Sequence, residues 1–219
     1  MLDKAVQQAL RPAMTRAARG LVRLGVGADA ISVAGFVTGM AAAAAIAVQQ
    51  FTAGLALLLL SRLMDVLDGA VARATQPTDR GGFLDITLDF LFYAAIPLAF
   101  AVADPAANAL PAAVLLASFI GTGSSFLAFA AIAEKRGLTD TALPGKSFYF
   151  LGGLTEATET IAAFAAMCLW PQWFGPLAYG FAALCAITTA LRIGWGWQRL
   201  GACAAEGVES EKRPQRGQF

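Results

Sequence analysis

Three long stretches of this chain carry no charged side chain: residues 30–61, 105–133 and 160–191. At about 1.5 Å per helical residue, each can cross a hydrocarbon core roughly 30 Å thick, and the third has length for more than one crossing. Runs of this kind are hard to place in a water-soluble domain, whose surface needs many more charges. The composition agrees: 58% of the residues are hydrophobic, only 14% are charged, and the mean hydropathy is +0.62. The chain therefore reads as an all-α integral membrane protein. Its 219 residues suit one membrane domain over 1–200, followed by a polar tail over 201–219 that is expected to be poorly ordered.

Six spans are expected, at about 30–48, 51–74, 82–103, 107–133, 148–169 and 173–195. The connections near Gln49-Gln50, Asp104-Pro105-Ala106 and Trp170–Trp173 contain no Lys or Arg. The opposite side receives the N-terminal segment, the loops at 74–81 and 134–147, and the tail, which hold nearly all the basic residues. The positive-inside rule makes that side cytoplasmic, with both termini on it, in a multi-pass protein of the cell (inner) membrane. Trp170 and Trp173 suit the headgroup belt of the other face.

Ahead of the first span, Leu2, Val6, Leu10, Met14 and Leu21 recur at near-helical spacing among Lys4, Arg11, Arg16, Arg19 and Arg23. That pattern fits an interfacial amphipathic helix over 1–24 on an anionic leaflet, in contact with membrane lipids; a solvated basic segment is the other reading. Pro12 is expected to break this helix or to start its second half. Gly35 and Gly39, four apart, allow close helix approach, either within the chain or at a seam between two chains. The three cysteines are scattered and read as free thiols, and a formal net charge of +1 without a basic stripe points to no nucleic-acid partner. The chain has no histidine, so imidazole cannot serve as base or metal ligand.

The acids are placed with more order. Asp65 and Asp68 lie three apart near the end of the second span, and Asp85 and Asp89 lie four apart near the start of the third. Each pair shares a helical face, and a short loop lets the two faces converge. Ionisable groups at membrane depth are costly and mark function. Four converging carboxylates repel one another unless cations neutralise them, and oxygen ligands select hard ions such as Mg²⁺ or Mn²⁺, with room for two. Gly69 and Ala72 leave the same face of the second span open, Arg73 offers a planar fork for a phosphate, and Gly81 clears the face below Asp85.

The string Asp65-x-x-Asp68-Gly69-x-x-Ala72-Arg73, seven further residues, then Gly81-x-x-x-Asp85-x-x-x-Asp89 resembles the signature of the CDP-alcohol phosphatidyltransferases at every fixed position. The resemblance implies that Asp65, Asp68 and Asp85 bind the metal pair. Asp89 would lie beside the metals and take the proton of the acceptor hydroxyl. Gly69, Ala72, Arg73 and Gly81 would cradle the CDP part of the donor. It further implies a homodimer and the transfer of a phosphatidyl group from CDP-diacylglycerol to a small polar alcohol, with release of CMP. The alternative is a soluble CDP-alcohol that passes its phospho-alcohol to a lipid hydroxyl; the chain's compact size favours the first.

The acceptor is not specified by this motif. Glu156 and Glu159, three apart at the opening of the fifth span, could bind a polyol, hold a cationic headgroup, or pair with Lys146, Arg62 or Arg192. Lys135, Arg136, Lys146 and Arg192 are the basic candidates for an acceptor phosphate. Arg62, one turn before Asp65, is expected to pair with an acid or to reach the donor phosphates. A transporter would place its acids at the midplane and repeat them between halves, and neither pattern is present.

Overall fold

The computed structural model describes residues 2–136 and 155–211, with side chains over 12–136 and 155–200. Among these residues seven α-helices follow one another: α1 (Leu2–Arg23), α2 (Ala28–Ala47), α3 (Phe51–Ala74), α4 (Asp79–Ala103), α5 (Pro105–Lys135), α6 (Ala157–Leu169) and α7 (Phe174–Glu211). A single 3₁₀ turn, Pro171–Trp173, joins α6 to α7, and the described residues contain no strand. Large side chains such as Leu98, Leu110, Ile120 and Ile193 are more than half exposed on the helix exteriors, as contact with lipid requires. Trp170 and Trp173 at the 3₁₀ turn are also exposed.

Among the described residues, four helical stretches are long and apolar enough to cross a membrane: Ala28–Ala47, Asp79–Ala103, Pro105–Lys135 and Pro171–Leu200. The two other expected spans differ for physical reasons. The described part of the fifth is the 13-residue α6, because residues 148–154 lie outside the described set. In α3, Arg62, Asp65 and Asp68 interrupt the apolar run, so the site residues themselves make this helix less apolar than the other spans.

Three local expectations are corrected. Helix α1 runs unbroken through Pro12. A proline removes one backbone donor and strains one turn, and the bonds on either side keep this helix continuous. Helix α4 starts at Asp79 rather than near Gly82, capped by the Thr78 hydroxyl, which accepts from the Gly81 amide at 3.1 Å. Beyond Leu200, where a poorly ordered tail is expected, α7 stays helical to Glu211.

The packing resolves into two compact units. The first comprises Met1–Phe119 and Glu156–Ala182, the second Ile120–Thr155 and Ala183–Phe219. In the first, α2 lies along both α3 and α4, while α1 and α6 pack on α3. Met14, Ala18, Leu21 and Val22 of α1 meet Ile31, Met64, Leu67, Ala70 and Val71, which seats the amphipathic helix on the start of α2 and the end of α3. The chain leaves α1 through Gly25, at φ +76°, with the paired i→i−5 and i→i−3 bonds that terminate a helix around a left-handed residue. Small residues let α2 sink into its neighbours: a Cβ on Gly54 would lie 2.5 Å from Ile46 Cγ1, and one on Gly35 would lie 3.2 Å from Met64 Cβ. Gly35 and Gly39 thus serve packing within the chain. Aromatic contacts tie the unit together further: Phe100 stacks on Phe174 at 4.5 Å, and Phe164 meets Phe92 and Phe119 edge-on at 6.4 and 6.1 Å. In the second unit, Arg192 Nη1 donates to the Thr122 carbonyl at 3.0 Å, and Thr155 donates to Thr188 at 3.1 Å.

Candidate active site

Helices α3 and α4 are joined by the short turn Thr75–Thr78, and each packs along α2. Their i, i+3 and i, i+4 spacings then aim all four aspartates into one pocket, lined by Ser32, Gly35, Phe36, Ser61, Arg62, Asp65, Asp68, Asp85, Leu88 and Asp89. One carboxylate oxygen from each of Asp65, Asp68 and Asp85 lies within 4.8 Å of the other two. This is a hard, all-oxygen donor set at the scale of one divalent cation's coordination shell, so these residues fit Mg²⁺ or Mn²⁺.

Asp89 is held differently. Its Oδ1 accepts from Arg62 Nη1 at 2.6 Å, and the same Nη1 lies 3.5 Å from Asp65 Oδ1. Arg62 is buried, with its guanidinium 3.8 Å above the centroid of Phe92 and 5.9 Å from that of Tyr93. Nη2 donates to Ser61 Oγ at 3.2 Å, and Ser61 in turn donates to the Gly35 carbonyl at 2.8 Å. A cation therefore stands inside the acidic nest, from a position three residues ahead of the motif's first aspartate. The signal was in the spacing: Arg62 is three before Asp65 and Phe92 three after Asp89, each pair on a shared helical face.

The other expected donor-binding residues fall around the end of this helix pair. Arg73 is exposed, and a Cβ on Gly69 would sit 3.2 Å from its Nη1, so glycine at 69 makes room for the Arg73 fork. Ala72 shares the last turn of α3. A Cβ on Gly81 would meet Asp29 Oδ1 at 3.3 Å, and Arg80 Nε lies 3.7 Å from Asp29 Oδ2, an exposed pair that adds little stability. Asp29 and Ser32, on the first turns of α2, belong to the surroundings of the site although the motif omits them.

Of the acceptor candidates, Glu156 and Glu159 form a reciprocal capping box at the start of α6. The Glu156 side chain accepts from the Glu159 amide, and Glu159 Oε2 accepts from the Glu156 amide at 3.1 Å. Lys135 is exposed in the last turn of α5, Arg192 lies within α7, and Lys146 lies outside the described residues.

An apolar helical bundle with a cation-sized carboxylate nest where two of its helices turn defines a membrane-embedded, metal-binding phosphotransferase. Residues 26–192 match the family model described as CDP-alcohol phosphatidyltransferase, and the chain belongs to that family of phospholipid-synthesis transferases. The chain is 48% identical over 200 residues to the inner membrane protein YnjF of Escherichia coli (strain K12), covering 91% of this chain and 97% of that one. It is 50% identical over 70 residues to the archaetidylinositol phosphate synthase of Methanothermobacter thermautotrophicus, 32% of this chain and 36% of that protein. Among solved structures it resembles the phosphatidylinositol phosphate synthase PgsA1 of Mycobacterium tuberculosis with CDP-DAG bound, at a TM-score of 0.68 and 22% identity over 84% of this chain and 93% of the other. The same synthase with manganese and citrate matches at a TM-score of 0.66 and 23% identity, over 84% and 88%. At these identities the structural likeness establishes a shared fold.

Proposed function

We propose that this protein transfers a phosphatidyl group from CDP-diacylglycerol to a small polar alcohol and releases CMP. The observation that carries this reading is the convergence of Asp65, Asp68 and Asp85 within 4.8 Å, with Asp89 lining the same pocket. Asp65, Asp68 and Asp85, with Asp89 at their edge, would hold two Mg²⁺ or Mn²⁺ ions. Such ions supply charge neutralisation for a pyrophosphate and its leaving group.

The chain's own residues have the remaining tasks. Gly69, Ala72, Arg73 and Gly81 bind the CDP moiety. Asp89 accepts the proton of the alcohol as its oxygen bonds to the lipid-bearing phosphorus, and the bond from that phosphorus to CMP breaks, with the electron pair leaving on CMP. Six spans, both termini and the site at the cytoplasmic face, and one membrane domain over 1–200 complete the reading, supported by the one-sided distribution of Lys and Arg. A lipid donor explains the location: acyl chains stay in hydrocarbon while the nucleotide enters from water. A homodimer is proposed on family resemblance. Lys135, Lys146 and Arg192 are favoured over Glu156 and Glu159 for the acceptor, because the two glutamates cap α6.

The test is incubation of purified protein and Mg²⁺ or Mn²⁺ with CDP-diacylglycerol and a panel of alcohols, phosphorylated and free, with products weighed by mass spectrometry. CMP release with a new phospholipid, abolished by EDTA, supports the reading. Turnover only of soluble CDP-alcohols onto a lipid hydroxyl would replace it, and substrate crossing vesicles without CMP release would remove it.

A further inference from the structure

We infer that Arg62 is a positioning residue that sets Asp89 for proton transfer at the edge of the metal nest. The inference rests on the phosphatidyl-transfer reading and adds a residue that the aspartate motif does not contain. Arg62 is fixed from several directions: α4 supplies the Phe92 ring beneath it and the Asp89 carboxylate at 2.6 Å, and Ser61, anchored on the Gly35 carbonyl of α2, receives its Nη2. Asp89 Oδ1 is thereby occupied, which leaves Oδ2 to meet a hydroxyl. Asp65 is touched only at 3.5 Å, and the group of mutually close carboxylates is Asp65, Asp68 and Asp85, without Asp89.

The orientation of the fork strengthens this assignment. Arg62 Nε is buried and has no hydrogen-bond partner, although such an orphaned donor is costly. An arginine kept for stability alone would turn to satisfy that group, or give way to an apolar residue, since buried ion pairs rarely stabilise more than good packing does. The fork instead spends both Nη groups on Asp89 and Ser61. A charge within a membrane helix also carries an insertion cost. The geometry is understandable if placement of Asp89 is what it serves.

The experiment compares Arg62→Met, Arg62→Lys, Asp89→Asn and the double variants with wild type, measuring kcat, KM for CDP-diacylglycerol, and Mn²⁺ binding by electron paramagnetic resonance. Loss of a well-placed proton acceptor should lower kcat in Arg62→Met by about 100-fold, while KM and Mn²⁺ binding are retained. Arg62→Lys, which keeps a charge and a donor, should recover part of kcat. Each double variant should be no slower than Asp89→Asn alone, since residues that act through one another are not additive. Wild-type kcat in Arg62→Met, a loss that multiplies onto Asp89→Asn, or loss of Mn²⁺ binding together with kcat would each overturn the inference. If Arg62→Met does not fold, the pair Arg62→Lys and Arg62→Lys/Asp89→Asn decides by the same additivity test. An inactive wild type would instead remove the phosphatidyl-transfer reading, whereas an active wild type with unaffected Arg62 variants removes only the role of Arg62.

Discussion

Gly39 in α2 and Phe92 in α4 approach so closely that a Cβ on Gly39 would lie 2.6 Å from Phe92 Cδ2 and 2.9 Å from Ser61 Oγ. The absence of a side chain at 39 therefore fixes the aromatic floor on which the Arg62 guanidinium rests, at 3.8 Å from the ring centroid.

Gly39→Ala should for this reason act on both stability and turnover. Phe92 is fully buried, so the ring cannot retreat freely, and overpacking of this kind costs about 1–3 kcal/mol. A lower unfolding temperature in detergent, together with a reduced kcat, is the expected outcome. Gly82→Ala is the control, since nothing lies within 4 Å of a Cβ there. Equal melting temperatures for the two variants would show that Phe92 yields.

Asp89→Asn should cut turnover to a low but measurable residue while part of the CDP-lipid binding survives. The amide is nearly the shape of the carboxylate and still accepts from Arg62, but it cannot take a proton. General-base contributions of about 10²–10⁴ in rate set the size of the loss. Single-turnover CMP release and equilibrium binding of CDP-diacylglycerol separate the two effects. Full activity in this variant would remove Asp89 as the base.

Much of this arrangement was legible in the sequence because membrane helices obey simple rules. Uncharged runs mark spans, and spacings of three and four put Asp65 with Asp68 and Asp85 with Asp89 on shared faces. What periodicity cannot supply is which groups from other helices fill the space between those faces. The contacts of Arg62 with Phe92 and of Gly39 with Phe92 join α2, α3 and α4, and depend on crossing geometry rather than on local spacing. Local competition was also hard to read. Pro12 looked like a breaker, yet the turns around it hold. Glu156 and Glu159 looked like charges in search of a ligand or a basic partner, although an i, i+3 acidic pair can equally bind the free amides of a helix start.

Metal dependence should follow the nest. Asp68→Asn and Asp85→Asn each replace one carboxylate of the three with a neutral amide and should weaken Mn²⁺ binding strongly, with activity falling in parallel. In the wild type, EDTA should abolish CMP release, and added Mg²⁺ or Mn²⁺ should restore it. Calorimetric titration of Mn²⁺ into EDTA-treated, re-purified protein gives the affinity and the number of ions. Activity that survives exhaustive chelation would show that the three acids have another purpose.

The capping box at α6 separates two roles for Glu159. Its Oε2 accepts from the Glu156 amide at 3.1 Å, a task that a glutamine carbonyl can perform equally well. Glu159→Gln should therefore keep both the wild-type melting temperature and the acceptor KM. Glu159→Ala takes this partner from the Glu156 amide and should destabilise by about 1 kcal/mol, the usual scale of a lost cap. If Glu159→Gln kept its stability but raised the acceptor KM, the negative charge itself would be in use. The acceptor pocket would then have to include this end of α6, and a cationic or polyol headgroup would become the better candidate.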